Sequence, residues 1–407
     1  LTPTKRLKVL FFAEGATLAH VGRPWLLAQG LDAAHYEVTF ARPMGYAWVT
    51  SEAGIKVVDL VCQEGATFAH RLERGQPLYD FQTLRQYVEQ DLALIDAIKP
   101  DVIVGDFRIS LSVSARLRST PYITICDAYW SPERPLRPVL PVLGFTRYVP
   151  IPVARGVFGL VAPLTLRLHA IPMERLRAHF GLPSLGYDLR RCYTDADMRL
   201  FANFPALFPE VKTSPTADFI GPIAWSPPER TDLGLPQKDT PLIYVTMGSS
   251  GDPKVLATLI PVLERSGAQV VVATAGKPLP AGCVSESTRV FDFLPGDQLC
   301  RHASLVVCNG GSPTTNQALS HGVPVLGIAS NMDQFLNMGA IADYGAGLLV
   351  RADRAHAQNL HRAVDRLIQD GSIRSRAQSL SKSATSAARL PDLAAHLHRL
   401  HDLQRRH

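Results

Sequence analysis

The chain has no CxxC pair, no HExxH, no GxxxxGK[ST] loop and no GxGxxG fingerprint. Each absence removes a class. Without a histidine–cysteine cluster or an HExxH helix no metal site is expected. The one DxD-like run, DAD at 195–197, precedes a strand rather than ending one. Without the GxxxxGK[ST] loop the triphosphate-hydrolase apparatus is missing. The six cysteines, Cys62, Cys126, Cys192, Cys283, Cys300 and Cys308, are scattered along 407 residues. A chain of that length builds cores without a disulfide framework, so they read as reduced, cytoplasmic and mostly buried. No uninterrupted run approaches the 18 or more apolar residues of a membrane span. The N-terminal LTPTKRLKVLFFAEG has a basic start, but its apolar run is short and lacks a small-residue cleavage site. It reads as a first strand rather than a signal peptide.

An excess of one charge is also missing from most of the chain. The net charge is +6, from 42 Lys and Arg against 36 Asp and Glu. Residues 351–407 hold eleven Arg or Lys and five Asp, so residues 1–350 balance. The basic tail lacks dense clusters, and no nucleic-acid signature accompanies it, so no nucleic acid is expected.

What is present is alternation. Hydrophobic residues make up 46% of the chain, enough for two cores. KVLFFA, HYEVTFAR, KVVDL, DVIVGD and PYITIC read as strands, with HVGRPWLLAQGL, YDFQTLRQYVEQDLALIDAIK and SLSVSARLR as helices between them. Alternation of this kind predicts an α/β fold with crossover units on parallel sheets. Residues 127–190 break the rhythm. YWSPERPLRPVLPVLGF carries four prolines, and the more helical stretch after it is expected to be divided by its own. This segment is an acceptor-facing insertion or a surface resting on a membrane. A second series starts at LIYVTMGSSG and runs through AQVVVATAG, TRVFDFLP, SLVVCNGG and VPVLGIAS. The expected division is therefore 1–220 as a first Rossmann-like domain containing the insertion 127–190. A Pro-rich linker follows at 221–240, then a second domain at 241–390 and a basic helix or tail at 391–407.

Three turns carry the chemistry: AEGATLAH (13–20), MGSSGD (247–252) and CNGGSPTTNQ (308–317). Helix N-termini along one edge of a parallel sheet attract anions, through unpaired N–H groups and the helix dipole. In the third turn Gly310 and Gly311 permit close backbone approach. Thr314 and Thr315 each offer a hydroxyl, and Pro313 costs nothing in a helix's first turn. An ordinary strand-to-helix turn has the same composition. His20 opens a helix after the first strand, where an imidazole can take a proton from a hydroxyl. EGATLAH at 14–20 recurs as EGATFAH at 64–70, so His70 competes for that role. Asp106 and Asp127 end strands and can orient a histidine. Arg108 is placed to pair with either.

Together, AEGATLAHVGRPWLLAQGL and the segment from RVFDFLPGDQL to NMDQFLN resemble the two-domain glycosyltransferases of the GT-B fold. Within them the chain is similar to the inverting, antibiotic- and macrolide-type bacterial enzymes related to UDP-glucuronosyltransferases. The resemblance implies two Rossmann-like domains facing each other across a cleft, and transfer of a sugar from a UDP- or dTDP-linked donor to a small hydroxyl-bearing acceptor, of natural-product type. It implies His20 as general base with Asp106 as support. It places Gly248 and Ser249 near the phosphates, and Phe293 and Leu294 at the nucleobase. Asn309, Gly310, Gly311, Ser312, Thr314 and Thr315 become the diphosphate loop. Gln317 falls at the ribose, and Asp333 and Gln334 at the donor sugar. Asn309 stands where the family has His, and Pro313 where it has Gly or Asn. The nucleotide sugar is a co-substrate, and no cofactor is implied. A lipid acceptor with peripheral membrane contact, a homodimer, a 2-epimerase and a non-catalytic partner stay open as alternatives.

Overall fold

The computed structural model describes residues 6–50, 54–135, 139–230, 233, 241–248, 251, 253–280, 282–285, 287–385 and 392–404. Ser249 lies outside them. Two all-parallel sheets organise the chain. The first has strands β1 (Leu7–Ala13), β2 (Tyr36–Arg42), β3 (Lys56–Asp59), β4 (Val102–Asp106), β5 (Tyr122–Cys126), β6 (Met198–Phe201) and β7 (Ala217–Phe219), in the order β3-β2-β1-β4-β5-β6-β7. The second has β8 (Leu242–Thr246), β9 (Gln269–Ala273), β10 (Thr288–Phe291), β11 (Ala303–Cys308), β12 (Val325–Ala329) and β13 (Gly347–Arg351), in the order β10-β9-β8-β11-β12-β13. Runs such as VLFF, VIV and LVV are apolar on both faces because helices cover both sides of a parallel sheet. The three-residue strand β7 is too short to stand out in the sequence, and the five-residue β13 is not among the strands expected from it.

Each order reverses direction once, between β1 and β4 and again between β8 and β11. At such a switch the two crossovers leave in opposite directions and open a crevice at the strands' C-terminal ends. Ala13 pairs with Asp106, which puts the turn after β1 beside the end of β4. Thr246 pairs with Cys308, which does the same for the turns after β8 and β11. The predicted GT-B architecture is the one found.

The two halves are joined by more than the linker. Tyr129, Phe204 and Phe208 share one apolar cluster with Leu294, Leu319 and Met338. The Asn316 side chain donates to the Ala202 carbonyl at 2.8 Å, and Val142 N–H donates to the Ser330 carbonyl at 2.7 Å. Leu393, Leu397 and Leu400 of the helix Leu393–Gln404 return to the first domain and pack with Trp25 and Tyr36.

The insertion differs from expectation. Its prolines do not divide the helical stretch: Ile151–His179 is a single 29-residue helix with Pro163 and Pro172 inside it. Packing of Ala154, Phe158, Ala162, Leu166 and Ala170 against the domain holds it in one piece. By length and composition this helix is apolar enough to cross a membrane, and 22% of its most apolar window is buried.

Candidate active site

The cleft between the sheets has a volume of about 2120 Å³ and is lined from both halves. His20 sits at the start of the helix Ala19–Gln29, which leaves the turn after β1. Its Nδ1 lies 2.7 Å from Asp106 Oδ1. Asp106 is fully buried. The His20 ring stacks on Phe107 at 4.7 Å between centroids. With Nδ1 committed to the carboxylate, Nε2 is the nitrogen left for the cleft, which His20 lines.

Arg23 is the residue that the motif reading missed. It lies one helical turn after His20, on the same face. Its guanidinium grips Asp106 through two hydrogen bonds of 2.9 Å and reaches Asp127 at 3.0 Å. Asn203 donates to the other Asp127 oxygen at 3.1 Å. Two buried carboxylates therefore share one buried cation, leaving a net negative charge beneath the imidazole. Burial raises the Asp106 pKa, but the Arg23 charge and the His20 hydrogen bond outweigh it and hold the carboxyl below its usual value. The spacing HVGR was the available signal for Arg23.

Arg108 does not pair with Asp106 or Asp127. Arg23 occupies that position, and the positive φ of Phe107 (57°) turns the chain so that Arg108 points the other way. Arg108 donates to Asp91 at 3.0 Å and Glu14 at 3.3 Å, fully buried against the Tyr87 ring. The duplicated heptapeptide is likewise not a structural repeat. Glu14 is buried in this ion pair, whereas Glu64 is exposed and stands at the cap position of the helix Gly65–Glu73. His70 is exposed at the cleft's edge and pairs with no carboxylate among the described residues.

Across the cleft, Asn309 follows β11 and Gly248 follows β8. A Cβ on Gly248 would lie 3.6 Å from the Asn309 amide nitrogen, so the two turns meet. Asn309 Oδ1 accepts the Gly311 N–H at 3.0 Å. Gly310 takes φ +84°, and a Cβ there would stand 2.5 Å from Met338 Cγ. Pro313 occupies the first turn of the helix Ser312–Ser320. Gly311, Ser312, Thr314 and Gln317 line the cleft. Gly310 and Thr315 do not. Thr315 is fully buried and its hydroxyl binds the Gly311 and Ser312 carbonyls at 3.2 and 3.1 Å, while accepting from Asn337 at 2.8 Å. Its side chain is turned into the packed interior of the domain, which corrects the expectation of a hydroxyl offered to phosphate. Gly310 shapes the turn instead of lining the site: Asn337 holds its carbonyl at 2.9 Å.

Phe293 is half exposed at the cleft and lies 5.8 Å from Trp48, which in turn meets Trp225. Leu294 is buried beside it. Gln317 packs against Gly296, where any larger residue would collide with its amide. Asp333, in the first turn of the helix Met332–Tyr344, has both oxygens engaged from the opposite domain: Tyr129 OH at 3.0 Å and Trp130 Nε1 at 2.9 Å. Burial and the nearby Asp127 raise its pKa, against these two hydrogen bonds. Gln334 is buried, and its Oε1 accepts the Ser330 N–H at 2.8 Å as part of a capping box with Asn331. Tyr129 and Trp130 were legible only as residues after β5. Among the described residues no three of His, Cys, Asp and Glu converge as metal ligands would.

Comparisons with known proteins agree with this geometry. Residues 258–400 match the family described as "Erythromycin biosynthesis protein CIII-like, C-terminal domain". A PGL/p-HBAD biosynthesis glycosyltransferase of Mycobacterium tuberculosis is 39% identical over 386 residues, covering 93% of this chain and 89% of the relative. A PGL/p-HBAD biosynthesis rhamnosyltransferase of Mycobacterium bovis is 40% identical over 384 residues, covering 93% and 84%. Among solved structures, the glycosyltransferase VinC in complex with dTDP superposes with a TM-score of 0.67 at 18% identity, covering 97% of this chain and 100% of that one. The chain therefore belongs to the GT-B-fold glycosyltransferase family that includes the antibiotic- and macrolide-type enzymes and these PGL/p-HBAD biosynthesis proteins.

Proposed function

We propose that this glycosyltransferase moves a sugar, with inversion, from a UDP- or dTDP-linked donor to a hydroxyl of a small, largely apolar acceptor of natural-product type. The observation that carries the reading is the 2.7 Å contact between His20 and buried Asp106, on the wall of the cleft opposite the Asn309–Thr314 turn. In the proposed step, Nε2 of His20 takes the acceptor's hydroxyl proton. The oxygen attacks the anomeric carbon from the face opposite the diphosphate. The carbon–oxygen bond to the diphosphate breaks, and its electron pair leaves with the nucleoside diphosphate. Asp106 keeps the imidazole in the competent tautomer and stabilises the imidazolium that forms. Gly248, Gly311, Ser312 and Thr314 cradle the diphosphate from the helix end, Phe293 and Leu294 flank the base, and Gln317 serves the ribose. Asp333 receives a sugar hydroxyl, and Gln334 caps the helix start on which Asp333 sits. The reaction needs no bound metal. Unpaired, mostly buried thiols suit a cytoplasmic setting. The dTDP bound by VinC and the rhamnosyl transfer in a relative's name favour a dTDP-deoxysugar donor.

A bilayer-resident lipid acceptor is the second reading, favoured by the exposed apolar helix Ile151–His179 at the acceptor side. A donor screen by thermal shift, followed by transfer assays with wild-type, His20→Ala and His70→Ala proteins, tests the main reading. A stabilising donor, with activity lost in His20→Ala and kept in His70→Ala, supports it. Full transfer by His20→Ala refutes the base.

A further inference from the structure

The helix Ile151–His179 has two apolar faces and only one of them is used. Ala154, Phe158, Ala162, Leu166 and Ala170 pack inward. Val153, Val157, Leu160, Val161, Leu164 and Leu168 are all exposed, Leu160 to 84% and Leu164 to 61%. At 100° per residue these six fall within an arc of about 100°, a continuous stripe running about 23 Å along the helix. Tyr148, at 87% exposure, and Phe145 extend it toward the cleft. Isolated exposed apolar residues are ordinary, but an ordered stripe of this length marks a surface that meets something apolar.

Charge identifies the occupant. Between Glu133 and Glu174 the sequence has no acidic residue, and it carries Arg134, Arg137, Arg147, Arg155 and Arg167. Arg147, Arg155 and Arg167 are exposed. An apolar stripe whose own segment carries cations and no acidic residue complements an anionic lipid surface, where aliphatic side chains enter the acyl boundary and guanidinium groups meet phosphates. Because the opposite face is fixed to the domain, the helix cannot cross the bilayer and must lie along it. The same helix also reaches the cleft: Phe158, Thr165, Leu166 and His169 line it, as do Leu143, Phe145 and Tyr148 from the segment before.

We infer that this face docks the enzyme on an anionic bilayer and sets the acceptor end of the cleft against the lipid. An amphiphilic acceptor then presents its hydroxyl to His20 without leaving the membrane. The route to His20 rests on the function proposed above, whereas the docking itself does not.

Flotation of the full chain separates the two. Vesicles of phosphatidylcholine, alone or with about 30% phosphatidylglycerol, are the probe. Wild-type and His20→Ala proteins are expected to float equally with the anionic vesicles and weakly with the neutral ones. Leu160→Asp/Leu164→Asp is expected to lose about ten-fold or more of that binding. Its thermal unfolding and its stabilisation by dTDP should match wild type, because both positions face solvent. Flotation that the double variant retains, or that ignores the anionic lipid, overturns the inference. So does a wild-type chain that stays unbound while sedimenting as a dimer that the variant dissolves, since the stripe would then bind a second copy. A transfer assay that fails while flotation succeeds refutes the proposed reaction and leaves the docking face intact.

Discussion

Replacing Asp106 with Asn changes one atom in the buried network and exposes what the carboxylate does. In the wild-type chain Asp106 accepts from His20 Nδ1 at 2.7 Å, so the neutral ring carries its proton on Nδ1 and offers Nε2 as the nitrogen that takes one. In Asp106→Asn the new side-chain amide can donate to Nδ1 instead, which moves the ring proton to Nε2 and blocks the base. The charge is lost as well. Imidazolium and carboxylate about 4 Å apart, centre to centre, attract by about 4 kcal/mol at an effective dielectric of about 20. Arg23 already neutralises part of the carboxylate, while the wrong tautomer adds its own loss. The expected result is a fall in kcat/KM of about a thousandfold, inside the range of about 10²–10⁴ typical of general acid–base catalysis. Arg23 keeps Asp127 at 3.0 Å, so the fold should survive. Its loss of stability should stay below the roughly 3–5 kcal/mol of an orphaned buried charge. The assay is steady-state transfer, with dTDP binding and thermal unfolding as controls. The double variant His20→Ala/Asp106→Asn should be no slower than His20→Ala, because the two residues act as one unit. Retention of more than a tenth of wild-type kcat/KM by a folded Asp106→Asn protein would falsify the dyad. A further ten-fold loss in the His20→Ala background would show that Asp106 acts through something else.

Other consequences can be measured in the same preparations. Asp106 has a folded pKa below its ordinary 3.8, so its contribution to stability is present above that value and lost as pH falls through the lower folded pKa. Denaturation curves of wild type and Asp106→Asn should therefore converge under strongly acidic conditions and separate near neutrality. Asn309→His restores a group able to carry charge, and calorimetry should find dTDP bound about 5–30-fold tighter at pH 6 with little change at pH 8; equal affinity at both would place residue 309 away from the diphosphate. Tyr129→Phe removes one of the two bonds to Asp333, and donor KM should rise about 3–10-fold while free dTDP affinity holds. A parallel loss of dTDP affinity would point to domain misalignment instead. Gly310→Ala meets both a φ of +84° and Met338, so unfolding stability should drop by about 1–3 kcal/mol, read by chemical denaturation.

Much of the fold was legible because its signals are local. Apolar runs of five or six residues separated by helical stretches determine parallel sheets, and turn composition marks the strand ends where ligands gather. Asp106 and Asn309 were therefore readable at strand ends, and His20 and Thr314 at the helix starts that follow strands. Strand order was not, since it depends on contacts between segments some ninety residues apart, such as Ala13 with Asp106. That order decides which carboxylate meets which cation. From the sequence Arg108 and Arg23 were equally basic; the backbone turn at Phe107 sends one to Glu14 and Asp91, and the helix after β1 sends the other to Asp106 and Asp127. The same holds for the near-identical EGATLAH and EGATFAH. Local chemistry made His20 and His70 equivalent, and only the neighbour of β1 gave one of them a carboxylate. Thr315 and Thr314 are adjacent and chemically alike, yet helix phase buries the first and leaves the second at the cleft. By itself the sequence determined the alternation, the glycine turns and the chemical groups available. Only the tertiary structure decided which of those groups share a site, because hydrogen bonds and ion pairs act over a few ångströms of space and not along the chain.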